Sequence, residues 1–203
     1  MQVEYTPISE EALLCAELPI DNNRLYNECC HIKDTHEGVV HSNVGGYQSP
    51  GLFRETVTDY PVLCELIDSI QNIIDTYVNK FTYQSPRRVK IGNFWLNFND
   101  QYNTNDYHTH PHSVFSGAYY IKASPNAGTI NFHRTHLIAD TEWGYFFDGS
   151  SAHKELINMY SHRIEPSPGR LVLFPSYYPH SVSPNMSGDM RLSLSFNSQA
   201  VFS

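Results

Sequence analysis

From Lys90 onward the apolar residues of this chain recur with a period of two. Phe94, Leu96 and Phe98 alternate with Asn93, Trp95 and Asn97. Near the C-terminus Leu192, Leu194 and Phe196 alternate with Arg191, Ser193, Ser195 and Asn197. Successive strand side chains point to opposite faces, so each run predicts a strand with one apolar and one polar face. Residues 114–122 and 170–174 read as further strands, the first with Ser116, Ala118 and Tyr120 on one face. The Pro- and Gly-bearing stretches 124–128 and 165–169 read as turns, and the first predicts that residues 128–132 pair back as a hairpin. Many short strands between such turns point to an antiparallel sandwich or barrel, not a parallel α/β sheet.

The first third is mixed. Residues 3–8 suit an early strand, and Asp21-Asn22-Asn23 can cap a short helix through Cys30. Residues 35–52, rich in Gly, Ser, His and Asn, read as a loop. Apolar residues at 62, 63, 66, 67, 70, 73, 74, 77 and 78 predict a long amphipathic helix over 60–80. Asp59 is its expected N-cap, Pro61 its first position, and buttressing a sheet its expected task. A length of 203 residues suits a single domain. Within it, residues 1–88 are expected to support a core at 89–203 that is interrupted by an insertion at 133–164. Trp143, Tyr145, Phe146 and Phe147 make that insertion a candidate lid, or a small packed subdomain.

Composition excludes several classes. No stretch is apolar enough to span a membrane, and the first residues lack the features of a signal peptide. The four cysteines, at 15, 29, 30 and 64, form no C-x-x-C pair and read as reduced thiols in a cytoplasmic protein. A formal charge of −8, with Arg87-Arg88 as the densest basic cluster, disfavours generic nucleic-acid binding.

Two distant stretches carry the chemistry. Spacing i, i+2 puts His108 and His110 on one face of a strand, and His180 follows the apolar run 171–174 where a loop begins. Three imidazoles converging this way make a metal site. His112 reads as a surface residue or as a partner of the ligands. Arg191 suits an acidic co-substrate held beside the metal, because its fork binds a carboxylate and Ser193 adds a hydrogen bond. The polar face of 191–197 equally suits the wet side of a half-buried strand.

These pieces, taken in order, resemble the 2-oxoglutarate/Fe(II)-dependent oxygenase superfamily, particularly its small prolyl-hydroxylase-like 2OG-Fe(II) group. The resemblance covers about residues 93–198. It rests on Phe94-Trp95-Leu96-Asn97, His108-Thr109-His110-Pro111, Ser116-Gly117-Ala118-Tyr119-Tyr120-Ile121, Gly169-Arg170-Leu171-Val172-Leu173-Phe174-Pro175-Ser176, Pro179-His180-Ser181-Val182 and Arg191-Leu192-Ser193-Leu194-Ser195-Phe196-Asn197. It implies a mainly β fold with N-terminal helices around a double-stranded β-helix (jelly-roll) core. It implies Fe(II) on His108 and His180, with Arg191, Ser193 and Tyr120 holding the distal carboxylate of 2-oxoglutarate and Asn97 as a further pocket candidate. O2 is then the second co-substrate, ascorbate a supporting reductant and hydroxylation of an unactivated carbon the expected outcome. The superfamily usually has His-x-Asp or His-x-Glu where this chain has His110. Either His110 or a carboxylate such as Asp106, Asp140 or Glu142 completes the set. Two alternatives stand beside the hydroxylase: a three-histidine iron dioxygenase that uses no keto acid, and a non-catalytic jelly-roll binding or structural module. The primary substrate is open, and a homodimer is compatible with the sequence.

Overall fold

A computed structural model describes residues 3–8, 11–78, 87–133 and 161–202. The Trp143–Phe147 segment, Asp140 and Glu142 lie outside the described residues, as does most of the expected insertion. The described residues form two antiparallel sheets and two helices. In chain order the elements are β1 (Val3–Ile8), β2 (Glu11–Glu17), α1 (Asn22–Thr35), β3 (Asn43–Val44), β4 (Tyr47–Gln48), α2 (Pro61–Ile73), β5 (Arg87–Asn99), β6 (Thr104–His108), β7 (Phe115–Lys122), β8 (Ile130–His133), β9 (Ser161–Ile164), β10 (Arg170–Pro175), β11 (His180–Val182) and β12 (Arg191–Phe202). The larger sheet runs β1-β2-β10-β7-β12-β5-β4, and the smaller runs β3-β6-β11-β8-β9. This mainly β, two-sheet arrangement is consistent with a jelly-roll oxygenase fold.

Alternation along each strand divides the core in two. Leu171, Leu173, Leu192, Leu194, Phe196, Leu96 and Tyr119 face outward from the large sheet onto Leu25, Ile32, Leu63, Leu66 and Ile70 of the helices. Their strand neighbours Val172, Phe174 and Tyr120 face the other way and pack with Ile130, Phe132 and Tyr178 between the sheets. The inter-sheet core is small, and the remaining interior face of the sandwich is polar.

Several expectations are corrected. α1 begins as predicted, with Asp21 accepting from the Asn23 and Arg24 amides at 3.2 and 3.1 Å, but it continues past Cys30 to Thr35 because Ile32 still has an apolar surface to bury. α2 ends at Ile73 and gives way to a π-helical turn, Ile74–Val78, so the expected long helix is short. From the last turn of α2 the Gln71 side chain bonds the backbone of β5, its Oε1 accepting from Ile91 N at 2.9 Å and its Nε2 donating to Val89 O at 3.2 Å. Pro61 is in the first turn, but Asp59 does not cap α2. Glu28 of α1 does so from outside, accepting from Val62 N at 3.1 Å and Leu63 N at 2.8 Å. A carboxylate there satisfies two free amides and meets the positive end of the helix dipole.

The hairpin expected between 114–122 and 128–132 does not form. β7 pairs with β10 and β12 in the large sheet, whereas β8 pairs with β11 and β9 in the small one. The turn at 124–128, with Asn126 at φ 66° and Gly128 at φ 86°, carries the chain across the sandwich instead. The 35–52 loop holds two short strands. β3 pairs with β6 of the small sheet and β4 with β5 of the large one, so this segment joins the two sheets along one edge. Among the described residues no helix is long and apolar enough to cross a membrane. The four cysteines are free thiols.

Candidate metal and co-substrate site

Two short strands bring the histidines together. β6 ends at His108, whose register partner on β11 is His180. His110 lies two residues beyond the strand, held by its amide donating to Ser176 O at 2.9 Å. It therefore owes its position to that backbone bond rather than to regular strand geometry, although the i, i+2 expectation of a shared face is met. The three side chains each offer one nitrogen, and these nitrogens all lie within 4.8 Å of one another.

The backbone selects which nitrogen is offered. A carbonyl can only accept, so His180 Nδ1 donates to Tyr178 O at 3.0 Å and His108 Nδ1 donates to Asp106 O at 2.6 Å. Both rings then keep a lone pair on Nε2, the atom a metal needs. His110 Nε2 and His180 Nε2 stand 3.3 Å apart. Two nitrogens bound at about 2.0–2.1 Å to one ion would be separated by roughly that distance. Burial favours the neutral form of all three rings. It lowers the pKa of His108, brings His110 to about 4 with help from His108, and brings His180 to about 3. Phe174 packs edge-on against His180 with ring centroids 4.7 Å apart, walling that side with hydrocarbon.

Across the cavity stands Arg191, the first residue of β12 and only 1% exposed. Its Nη1 donates to Ala127 O at 2.6 Å. Among the described residues no carboxylate forms a salt bridge with it. A buried guanidinium without a counter-ion is costly, and burial accordingly lowers its pKa while Tyr120 opposes the shift. Tyr120 is 2% exposed, and burial raises its phenol to about 12 against the pull of Arg191, so it remains an O–H donor. Ser193 lines the same cavity, as does Asn97, whose Nδ2 donates to Ser195 Oγ at 3.1 Å while its Oδ1 is buried without a partner. The cavity encloses about 510 Å³ of empty space, counting its open mouth.

His108, His110, His180, Arg191, Ser193, Tyr120 and Asn97 thus all face one cavity. The polar face of β12 is an interior wall, not a wet surface. Asp106 is exposed and outside the histidine cluster, and serves His108 through its backbone carbonyl. His112 is exposed in a turn at φ 66° and takes no part. Sequence reasoning missed Ser42, Trp95 and Ser195, which also line the cavity. Trp95 and Ser195 share the alternating faces of Asn97 and Arg191, so the period-two pattern could have found them. Ser42 carried no such signal.

The donor set fits a divalent metal, and the unpaired guanidinium fits an acid beside it. The chain resembles a Pseudomonas putida prolyl-4-hydroxylase, at 15% identity, with 94% of each chain covered and a TM-score of 0.65. It is similar to SnoN, a non-heme α-ketoglutarate-dependent epimerase from nogalamycin biosynthesis, at 13% identity, covering 95% of this chain and 81% of that one with a TM-score of 0.65. HygX from Streptomyces hygroscopicus, solved with nickel and 2-oxoglutarate, is 10% identical, with 92% and 82% covered and a TM-score of 0.59. At these identities the likeness is one of fold. The sequence model of the family described as "Putative 2OG-Fe(II) oxygenase" matches residues 93–197, and the chain belongs to that family of oxygenases, whose chemistry uses Fe(II) and 2-oxoglutarate. Curated protein sequences yield no match.

Proposed function

We propose that this chain is an Fe(II)- and 2-oxoglutarate-dependent dioxygenase that hydroxylates an unactivated carbon while 2-oxoglutarate is decarboxylated to succinate. The observation that carries this reading is Arg191, a buried cation with no acidic partner among the described residues, opening onto the same cavity as three neutral imidazoles. In this reading His108, His110 and His180 hold the iron. Arg191 grips the distal carboxylate of the keto acid with its fork. Ser193 and the protonated Tyr120 donate to that same carboxylate, and Asn97 lines the pocket beside them.

Iron, when bound, supplies the activation of O2 that is coupled to oxidation of the keto acid. The chain's residues do the remaining work. The carbonyls of Tyr178 and Asp106 fix the tautomers of His180 and His108, and Phe174 excludes water from one side. The guanidinium orients a dianion that the protein's negative overall charge would otherwise repel. Three imidazoles leave more positive charge on a divalent ion than two imidazoles and a carboxylate would. This donor set favours a second reading, a three-histidine dioxygenase that needs no keto acid. That reading leaves Arg191 without a partner, and we rank it second. A single domain, a cytoplasmic location, O2 as co-substrate and ascorbate as supporting reductant complete the proposal.

The test is turnover without added primary substrate. Protein with Fe(II), ascorbate and 2-oxoglutarate should form succinate slowly and only with O2. His180→Ala should lose both metal and succinate formation, and Arg191→Ala should keep metal but lose succinate formation. Unchanged rates in both variants would overturn the assignment.

A further inference from the structure

Resting on the reading above, a second cleft bears on the primary substrate. It holds about 950 Å³ of empty space, counting open solvent, and shares Ser42, Trp95, His108 and His110 with the inner cavity. The histidines thus stand between two compartments. On β12 the interior side chains run Arg191, Ser193, Ser195, Asn197, and Asn197 is the register partner of Asn93 on β5. Six residues of strand separate Arg191 from Asn197 by about 20 Å. A five-carbon diacid held at Arg191 cannot reach the asparagine pair, so the outer cleft serves another molecule.

Its chemistry is specific. Among its described lining residues none is Asp, Glu, Lys or Arg. Apart from the imidazole of His41 and the proposed iron at its inner end, a phosphate or carboxylate entering it would find no cationic side chain among the described lining residues, and an ammonium no carboxylate. Gln48 is only 6% exposed, yet its carboxamide bonds no described residue and lines the cleft. The Asn93 carboxamide is equally unbonded there. Carboxamides that open on the cleft without a bond to a described residue offer an incoming molecule both a donor and an acceptor. Trp95, half-buried between the amides and His110, presents a flat apolar ring with its centroid 5.8 Å from that of His110.

We propose that the outer cleft binds the primary substrate and that this substrate is uncharged where it is bound, with a hydrogen-bonding rim held by Gln48 and Asn93 and a ring face laid on Trp95. Free nucleosides, neutral sugars and capped peptides all carry that chemistry, and matched pairs differing by one charge separate them. The probes are thymidine with its 5′-monophosphate, methyl glucoside with glucose 6-phosphate, and N-acetylproline amide with proline. Binding is read as quenching of tryptophan fluorescence under nitrogen, with Trp95→Phe to separate the signal from that of Trp143. The neutral member of at least one pair should bind about tenfold or more tightly than its charged partner, and Gln48→Ala and Asn93→Ala should each weaken it by a similar factor. Charged members binding equally or better, no binding by any probe, or binding indifferent to both variants would each overturn the proposal. Succinate formation by the unaltered protein is measured separately. Neutral-ligand binding without it would sink the oxygenase reading and leave the outer cleft as a site for a neutral ligand.

Discussion

Tyr119 and Tyr120 are adjacent in sequence and face opposite cores. Tyr119 donates to Asn22 Oδ1 at 2.8 Å on the helical side, while Tyr120 enters the cavity beside Arg191. Single residues here acquire their meaning from strand parity. Parity put Arg191 and Ser193 on one strand face and grouped His108 with His110, while the family resemblance suggested what these residues hold. Parity said nothing of Gln48 or Ser42, whose loop has no long periodic run to read. Arg191→Lys keeps the charge but loses the two-pronged fork. Affinity for 2-oxoglutarate should fall about tenfold or more, while metal content measured by elemental analysis stays intact.

The histidines also make the metal-free protein sensitive to acid. In the unfolded chain an imidazole gains its proton near pH 6.5, whereas folded His110 and His180 resist until about 4 and 3. Between these values the unfolded state binds more protons, so stability is fully present above about pH 6.5 and is lost as pH falls towards 4. Urea midpoints of metal-free protein should drop between pH 7.5 and 5, and His180→Gln should flatten that slope. A slope unchanged by the variant would show that other groups cause it.

At the scale of elements, the helices show how a remote residue can replace a local signal. Sequence pointed to Asp59 as the cap of α2, but Glu28 arrives from α1, thirty-four residues away from Val62. No local pattern records such a contact. Glu28→Ala should cost about 1–2 kcal/mol in chemical denaturation, the usual worth of a lost helix cap. The mistaken hairpin has a similar origin. The turn at 124–128 was legible, but whether it folds a strand back or carries it across depends on the opposite sheet. Gly117 on β7 belongs to this scale too. A Cβ there would meet Phe196 at 2.5 Å and Val172 O at 2.6 Å, so only glycine lets β7 pack so closely. Gly117→Ala should destabilise the protein by about 1–3 kcal/mol through overpacking, read as a shift in urea midpoint.

For the molecule as a whole, binding and stability are linked. Ni(II) with 2-oxoglutarate, added without O2, should raise the melting temperature, because ligands that bind only the folded state stabilise it by about 2.7 kcal/mol at a hundred times Kd. Arg191→Ala should abolish the increment from 2-oxoglutarate and keep the increment from nickel. The fold class was readable in the sequence because alternation is a short-range signal. The partition of strands between sheets was not, because it is decided by contacts distant in sequence.

The segment at residues 43–48 bridges both sheets and brings Gln48 to the outer cleft. A fragment trimmed to residues 89–203 would retain every proposed iron and keto-acid contact. It would also lose the clasp along one seam, leaving β5 and β6 with bare edges and the outer compartment missing a wall. The N-terminal third is thus part of the vessel as well as its stand.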